Sequence, residues 1–170
     1  MTDHPTYALR SNPVIALGCL TAAVAGAELG WILFQVGGAV AAGKPLFDPN
    51  QYSGVGEWLY ALLFWGLFLT PGPLVGLFAI GWPALLIARG SRPNWLKPRP
   101  VYAIGFLAVI AGQCLTIAPL VAVASPLIIP MALLSASVMG AAFAAPASVV
   151  FRWIVLRRAT SPTTGAMAAA

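Results

Sequence analysis

Charge is scarce in this sequence. Only 8% of its 170 residues are Asp, Glu, Lys or Arg, where a soluble domain carries roughly 25%. That deficit argues against a water-soluble domain. Histidine occurs once, as His4, and cysteine twice, as Cys19 and Cys114. Structural zinc sites take about four Cys or His ligands, so this inventory assembles no metal centre. The acids are Asp3, Glu28, Asp48 and Glu57. They form no carboxylate pair in the apolar stretches, and the lone histidine stands near the terminus. Asp48 and Glu57 read as solvated loop charges. No phosphate-cradling glycine loop is present. The expectation is no enzyme, no cofactor and no metal, and the sequence gives no case for nucleic acid as a partner. The cysteines do not suit a disulfide. They lie about 9 Å and 20 Å along helices that start from the same side, at 1.5 Å per residue. That offset exceeds the roughly 7 Å limit between bridged Cα atoms, so both read as core thiols.

What the chain has in abundance is apolar length. Sixty per cent of it is hydrophobic and its mean hydropathy is +0.89. Four apolar stretches cover 13–42, 57–88, 101–124 and 126–156. About 20 apolar residues cross a bilayer's hydrocarbon core, so each is long enough to span. The expected fold is all-α, a four-helix transmembrane bundle over 13–156, with a cytoplasmic segment 1–12 before it and a flexible cytoplasmic tail 157–170 after it. Ser11 or Asn12 can cap the first helix with Pro13 at its first position, and Gly43-Lys44-Pro45 ends it. Two turn-rich loops and a tight connection near Ala124-Ser125-Pro126 complete the plan. An Arg10-led apolar run ending at Ala25-Gly26-Ala27, or "ALGC" ending at Cys19, could be read as a cleaved leader. The run continues past both points, and an uncleaved helix is preferred.

Eight of the nine bases fall on one side of this plan: Arg10, Arg89, Arg92, Lys97, Arg99, Arg152, Arg157 and Arg158. Lys44 is on the other side, with Asp48 and Glu57. Basic loops stay in the cytoplasm, so both termini are expected there, in a bacterial inner membrane. Tyr7, Trp82, Trp95, Tyr102 and Trp153 fit the inner interface; Tyr52, Trp58 and Tyr60 fit the outer one. Membrane lipids are the expected surroundings, and the basic loop between helices two and three could touch anionic headgroups.

Two stripes of small residues stand out. The first helix carries Gly18, Ala22, Gly26 and Gly30, and the fourth carries Ala132, Ala136, Gly140, Ala144 and Ser148. Small residues spaced by four let backbones approach closely in lipid. Packing within the monomer is the preferred reading of both. On the opposite side of the first helix, Thr21, Glu28 and Gln35 lie seven residues apart, within about 20° of one line. A helix with a polar stripe on one face and a close-packing stripe on another expects protein around it.

Glu28, Gln113 and Gly140 stand near the midpoints of their stretches, and "TPGP", Thr70 to Pro73, stands at the midpoint of the second. Pro71 and Pro73 donate no backbone hydrogen bond, so a kink and free carbonyls at Leu67 and Leu69 are expected. Such carbonyls in hydrocarbon need a partner, water or an ion, and broken helices of this kind form ion sites in transporters. Glu28 could equally be a neutral, hydrogen-bonded lock for the bundle, or pair with a base on another protein. For Gln113 a helix–helix hydrogen bond is the preferred reading.

Four helices with one embedded glutamate in the first, here "AGAELG", and a small-residue stripe on the fourth resemble the small multidrug-resistance transporters in plan. The likeness covers helices one and four. The chain is longer than that family's usual size, and "FLTPGPLVG" departs from its second helix. The resemblance implies a homo-oligomeric, proton-coupled transporter. The thin polar inventory and short loops point instead to a non-catalytic subunit or accessory protein of an inner-membrane complex. Partners would then be other membrane subunits or a second copy of the chain.

Overall fold

A computed structural model describes residues 7–46, 53–91, 96–124 and 129–158. Asp3, His4, Asp48, Tyr52, Arg92, Trp95, the Ser125-Pro126 turn and the tail from 159 lie outside these residues, as does the side chain of Ala132. Four helical segments are long and apolar enough to cross a membrane: Asn12–Ala41, Val55–Ser91, Pro98–Ile117 and Ile129–Val155. The chain is a multi-pass membrane protein by this measure, helical apart from one short ribbon.

Helix α1 runs Asn12–Ala41. Ser11 is extended (φ −63°, ψ 154°) and precedes Pro13 in the first turn, but its hydroxyl makes no capping bond. Its carbonyl accepts the Ile15 N–H at 3.0 Å. The far end closes by backbone alone. Gly43 takes φ +61°, which lets its N–H reach the Val40 carbonyl while the Lys44 N–H reaches that of Ala39. This paired closure satisfies the last carbonyls and needs a residue that tolerates a left-handed backbone.

The second span is not one helix. Helix α2 covers Val55–Phe68, α3 covers Pro71–Gly76, a π-helical turn covers Leu77–Gly81, and α4 covers Trp82–Ser91. Glu57 ties the start of α2. Its carboxylate accepts from the Ser53 N–H and hydroxyl at 2.7 and 2.6 Å, so this exposed acid is a helix-start tether rather than a bare loop charge. The π turn was not legible in advance. In it the Trp82 N–H bonds the Leu77 carbonyl five residues back. Pro83 follows and has no N–H of its own to offer the next carbonyl.

Helix α5 covers Pro98–Ala124 and α6 covers Ile129–Val155. The most extensive packing is that of α6 with α5 and with α1; α3 lies on α5, and α2 lies on α1. The core gathers Ile15, Cys19, Leu77, Leu85, Val109, Phe143 and Phe151, all fully buried. Large apolar side chains such as Leu33, Leu63, Phe64, Phe68, Leu107 and Leu134 stay exposed, as lipid-facing positions should. The cysteines are free thiols. Cys19 points its sulfur to the Leu77 carbonyl at 3.8 Å, and Cys114 meets the Ser137 hydroxyl at 3.5 Å.

One element departs from the expected all-α plan. Strand β1, Tyr7–Leu9, pairs antiparallel with β2, Leu156–Arg158, in the register Tyr7 to Arg158, Ala8 to Arg157 and Leu9 to Leu156. The expected tail therefore does not begin loose at 157. The reason is local burial. Leu9 and Leu156 oppose each other and are both buried, and the ribbon satisfies backbone groups at the end of α6. The Arg10 N–H extends it to the Val155 carbonyl at 3.0 Å. The ribbon places both flanks of the bundle at the same end.

Candidate functional site at the broken second span

The second span breaks at Leu69-Thr70, between α2 and α3. The expected free carbonyl of Leu67 is a correction: it accepts the Thr70 N–H at 3.1 Å. The backbone tightens for one turn, which replaces the bond Pro71 cannot make. The Thr70 hydroxyl is used as well, donating to the Gly66 carbonyl at 3.3 Å. Thr70 serves the turn itself. Pro71 is exposed and Pro73 buried.

Two polar side chains reach this break from different helices. Half-buried Glu28 of α1 lays its carboxyl on Gly66, where an added Cβ would overlap Oε2. Gln113 of α5, 2% exposed, lays its amide on Gly72, where an added Cβ would overlap Oε1. Gly66 and Gly72 bracket the turn. Gln113 also touches α6, since a Cβ on Gly140 would stand 3.4 Å from its own Cβ. The break, the acid, the amide and Gly140 are thus assembled by direct contact.

The hydrogen bonding is incomplete. Glu28 Oε2 and Gln113 Nε2 are buried without a hydrogen-bond partner among the described residues, as are Trp31 Nε1 and Trp82 Nε1. An unmade bond to a buried polar group costs roughly 1–3 kcal/mol. Gln113 therefore lacks the helix–helix bond expected of its amide nitrogen. Trp31 lies three residues beyond Glu28, on the same side of α1.

Thr21 and Gln35 are not part of this cluster. Both are exposed on α1, while Gly18, Gly26 and Gly30 are buried against α6. A Cβ on Gly26 would overlap Ala147, one on Gly30 would overlap Phe143, and one on Gly18 would press on Ile154. The stripe on α6 turns elsewhere. Gly140 faces Ile110 and Gln113 of α5, and Ser148 lies by Gly105; Ala136 and Ala144 are buried. Helix α6 thus uses two faces, one for α1 and one for α5.

The closest backbone approach was missed in the sequence. Gly72 and Gly76 of α3 cross Ala108 and Gly112 of α5. A Cβ on Gly112 would overlap the Gly72 carbonyl, and one on Gly76 would overlap that of Ala108. Both pairs are small residues spaced by four, the same signal read on α1 and α6.

No protein-family profile, curated protein or solved structure matches this chain. The likeness of plan to small multidrug-resistance transporters has no counterpart among these comparisons. Among the described residues, no three His, Cys, Asp or Glu side chains group as metal ligands.

Proposed function

We propose that the protein is a non-catalytic integral membrane subunit, or accessory protein, that packs within an inner-membrane complex with both termini in the cytoplasm. One observation supports this reading above the others. The polar stripe of α1 is left open: Thr21 and Gln35 are exposed on either side of Glu28, each about 10 Å from it along the helix. With Glu28 near mid-membrane, both fall within the roughly 30 Å hydrocarbon core. Hydroxyl and amide groups facing acyl chains there lack hydrogen bonds. A helix of another subunit laid on this stripe supplies them.

The experiment is extraction of the full chain in mild detergent. The proposal expects other membrane chains to co-purify in fixed ratio, and expects Glu28→Leu to weaken that association. Isolation as a lone monomer that keeps its fold overturns it.

A second reading rests on a separate observation, the unpartnered Glu28 and Gln113 atoms bracketing the Thr70–Pro73 break. It makes the chain a small homo-oligomeric transporter in which Glu28 carries a proton or cation. It expects a homodimer with proton-coupled flux after reconstitution, lost in Glu28→Gln. Normal flux in that variant excludes it.

A further inference from the structure

The terminal ribbon does more than tie the two ends together. It walls a cavity of about 480 Å³ lined by Tyr7, Arg10, Pro98, Arg152, Trp153, Leu156 and Arg157. Three arginines from three different elements line it. Arg10 comes from the link between β1 and α1, Arg152 from the last turn of α6, and Arg157 from β2. Their carriers are held by backbone bonds: the Arg10 N–H donates to the Val155 carbonyl, and Arg157 sits opposite Ala8 in the ribbon. The two acids among the described residues, Glu28 and Glu57, are not in the lining. No ion pair is found for the three arginines among the described residues.

Three like charges on the lining of one cavity repel, and an anion bound between them relieves that repulsion. Guanidinium is planar and presents paired donors that match phosphate oxygens, and several such groups around one phosphate are a recurring arrangement. The rest of the lining suits an ester rather than a bare ion. Leu156 is buried, Pro98 is half-buried, and the rings of Tyr7 and Trp153 give apolar faces with a polar edge. The cavity also lies where α6 ends, at the depth where a spanning helix meets headgroups.

We propose that this cavity is a binding site for a phosphate ester, held by Arg10, Arg152 and Arg157. The headgroup of an anionic phospholipid and a soluble phosphate compound share this chemistry. The lipid is the source that the depth of the site favours.

The test uses the full chain, purified in detergent and stripped of lipid. Binding of phosphatidylglycerol, phosphatidylcholine and glycerol 3-phosphate is measured separately by native mass spectrometry and by titration calorimetry. The expectation is saturable binding of one phosphatidylglycerol per chain. Arg152→Gln and Arg157→Gln each weaken it about tenfold, the loss of one charge-assisted contact. Arg89→Gln, an exposed base of α4 outside the cavity, leaves it unchanged. Arg157→Lys keeps the charge but loses the paired donors, and weakens binding severalfold without disturbing the ribbon. Glycerol 3-phosphate binding tighter than the lipid assigns the site to a soluble phosphate ester and keeps the proposal. Equal losses in Arg89→Gln and Arg157→Gln reveal only diffuse surface attraction and overturn it. So does unchanged binding in the cavity variants, or failure of both phosphatidylglycerol and glycerol 3-phosphate to bind.

Discussion

The carboxyl of Glu28 rests on the bare backbone of Gly66, and the site exists because position 66 has no side chain. Gly66 is the one buried residue of α2, a helix otherwise half or fully exposed. The acid is therefore placed where α2 is most deeply buried. Six residues later the pattern repeats with Gln113 on Gly72. Two glycines, one on each side of a proline-broken turn, admit two polar side chains to the interior from opposite neighbours.

This pairing predicts a specific rescue. Gly66→Ala puts a methyl group into the Glu28 carboxyl and is expected to destabilise the protein by about 1–3 kcal/mol. In a Glu28→Ala background the space is open, and the same change should be nearly neutral. The coupling between the two, about 1–2 kcal/mol for groups in direct contact, is read from thermal unfolding in detergent. Equal cost of Gly66→Ala in both backgrounds would separate the two residues.

Much of the bundle was legible because apolar length dominates this chain. The four spans follow from it, and the buried stripe Gly18, Gly26, Gly30 follows from spacing alone. Glu28, Gln113 and Thr70 were legible as a layer because depth along a helix is countable. Their contacts were not. Which glycine receives a polar side chain depends on how the helices rotate against each other, and no periodicity states that. The free Leu67 carbonyl was expected from an ideal helix with one donor deleted. The chain instead shortened the turn, and Thr70 took up the acceptor. The ribbon of Tyr7–Leu9 with Leu156–Arg158 joins residues at opposite ends of the sequence through three residues each, too few for alternation to show. The crossing of Gly72 and Gly76 with Ala108 and Gly112 carries the spacing of four, but spacing does not say which stripes meet.

That crossing should be the most sensitive part of the molecule. At Gly112 the obstruction is backbone of α3, the Gly72 carbonyl and the Gly76 N–H and Cα, which no rotamer change can clear. At Gly66 it is the end of a flexible side chain. At Gly37 an added Cβ meets nothing within 4 Å. The expected order of damage is Gly112→Ala, about 3 kcal/mol or more, then Gly66→Ala, then Gly37→Ala. The last should be neutral or stabilising by up to about 1 kcal/mol, through helix propensity. Unfolding midpoints of the three variants check the order.

The ribbon predicts a covalent link. Leu9 and Leu156 are directly opposed, and opposed residues of an antiparallel pair have Cα atoms about 4.5–5.5 Å apart, within disulfide range. Leu9→Cys with Leu156→Cys should oxidise to an intramolecular disulfide under mild conditions. Mass spectrometry after alkylation would show the two introduced thiols protected, with neither single variant behaving so. If both thiols alkylate fully after oxidation, the two flanks are not joined in this register.

The open stripe on α1 yields the sharpest separation of partner from lipid. Thr21 and Gln35 are exposed and bond nothing within the described part of the chain, so replacing both by leucine removes no internal hydrogen bond. If acyl chains cover them, the double variant becomes more stable, since leucine is favoured over hydroxyl and amide in hydrocarbon. If a partner helix covers them, two interhelical hydrogen bonds are lost. At about 0.6 kcal/mol each, this amounts to about 1.2 kcal/mol, a roughly eightfold loss of affinity. The two cases differ in sign on different readouts. Quantitative co-purification of the variant with its companion chains, at constant detergent and chain concentration, measures the second. Undiminished retention with raised thermal stability places the stripe in lipid, and the subunit proposal would then lose the observation that supports it.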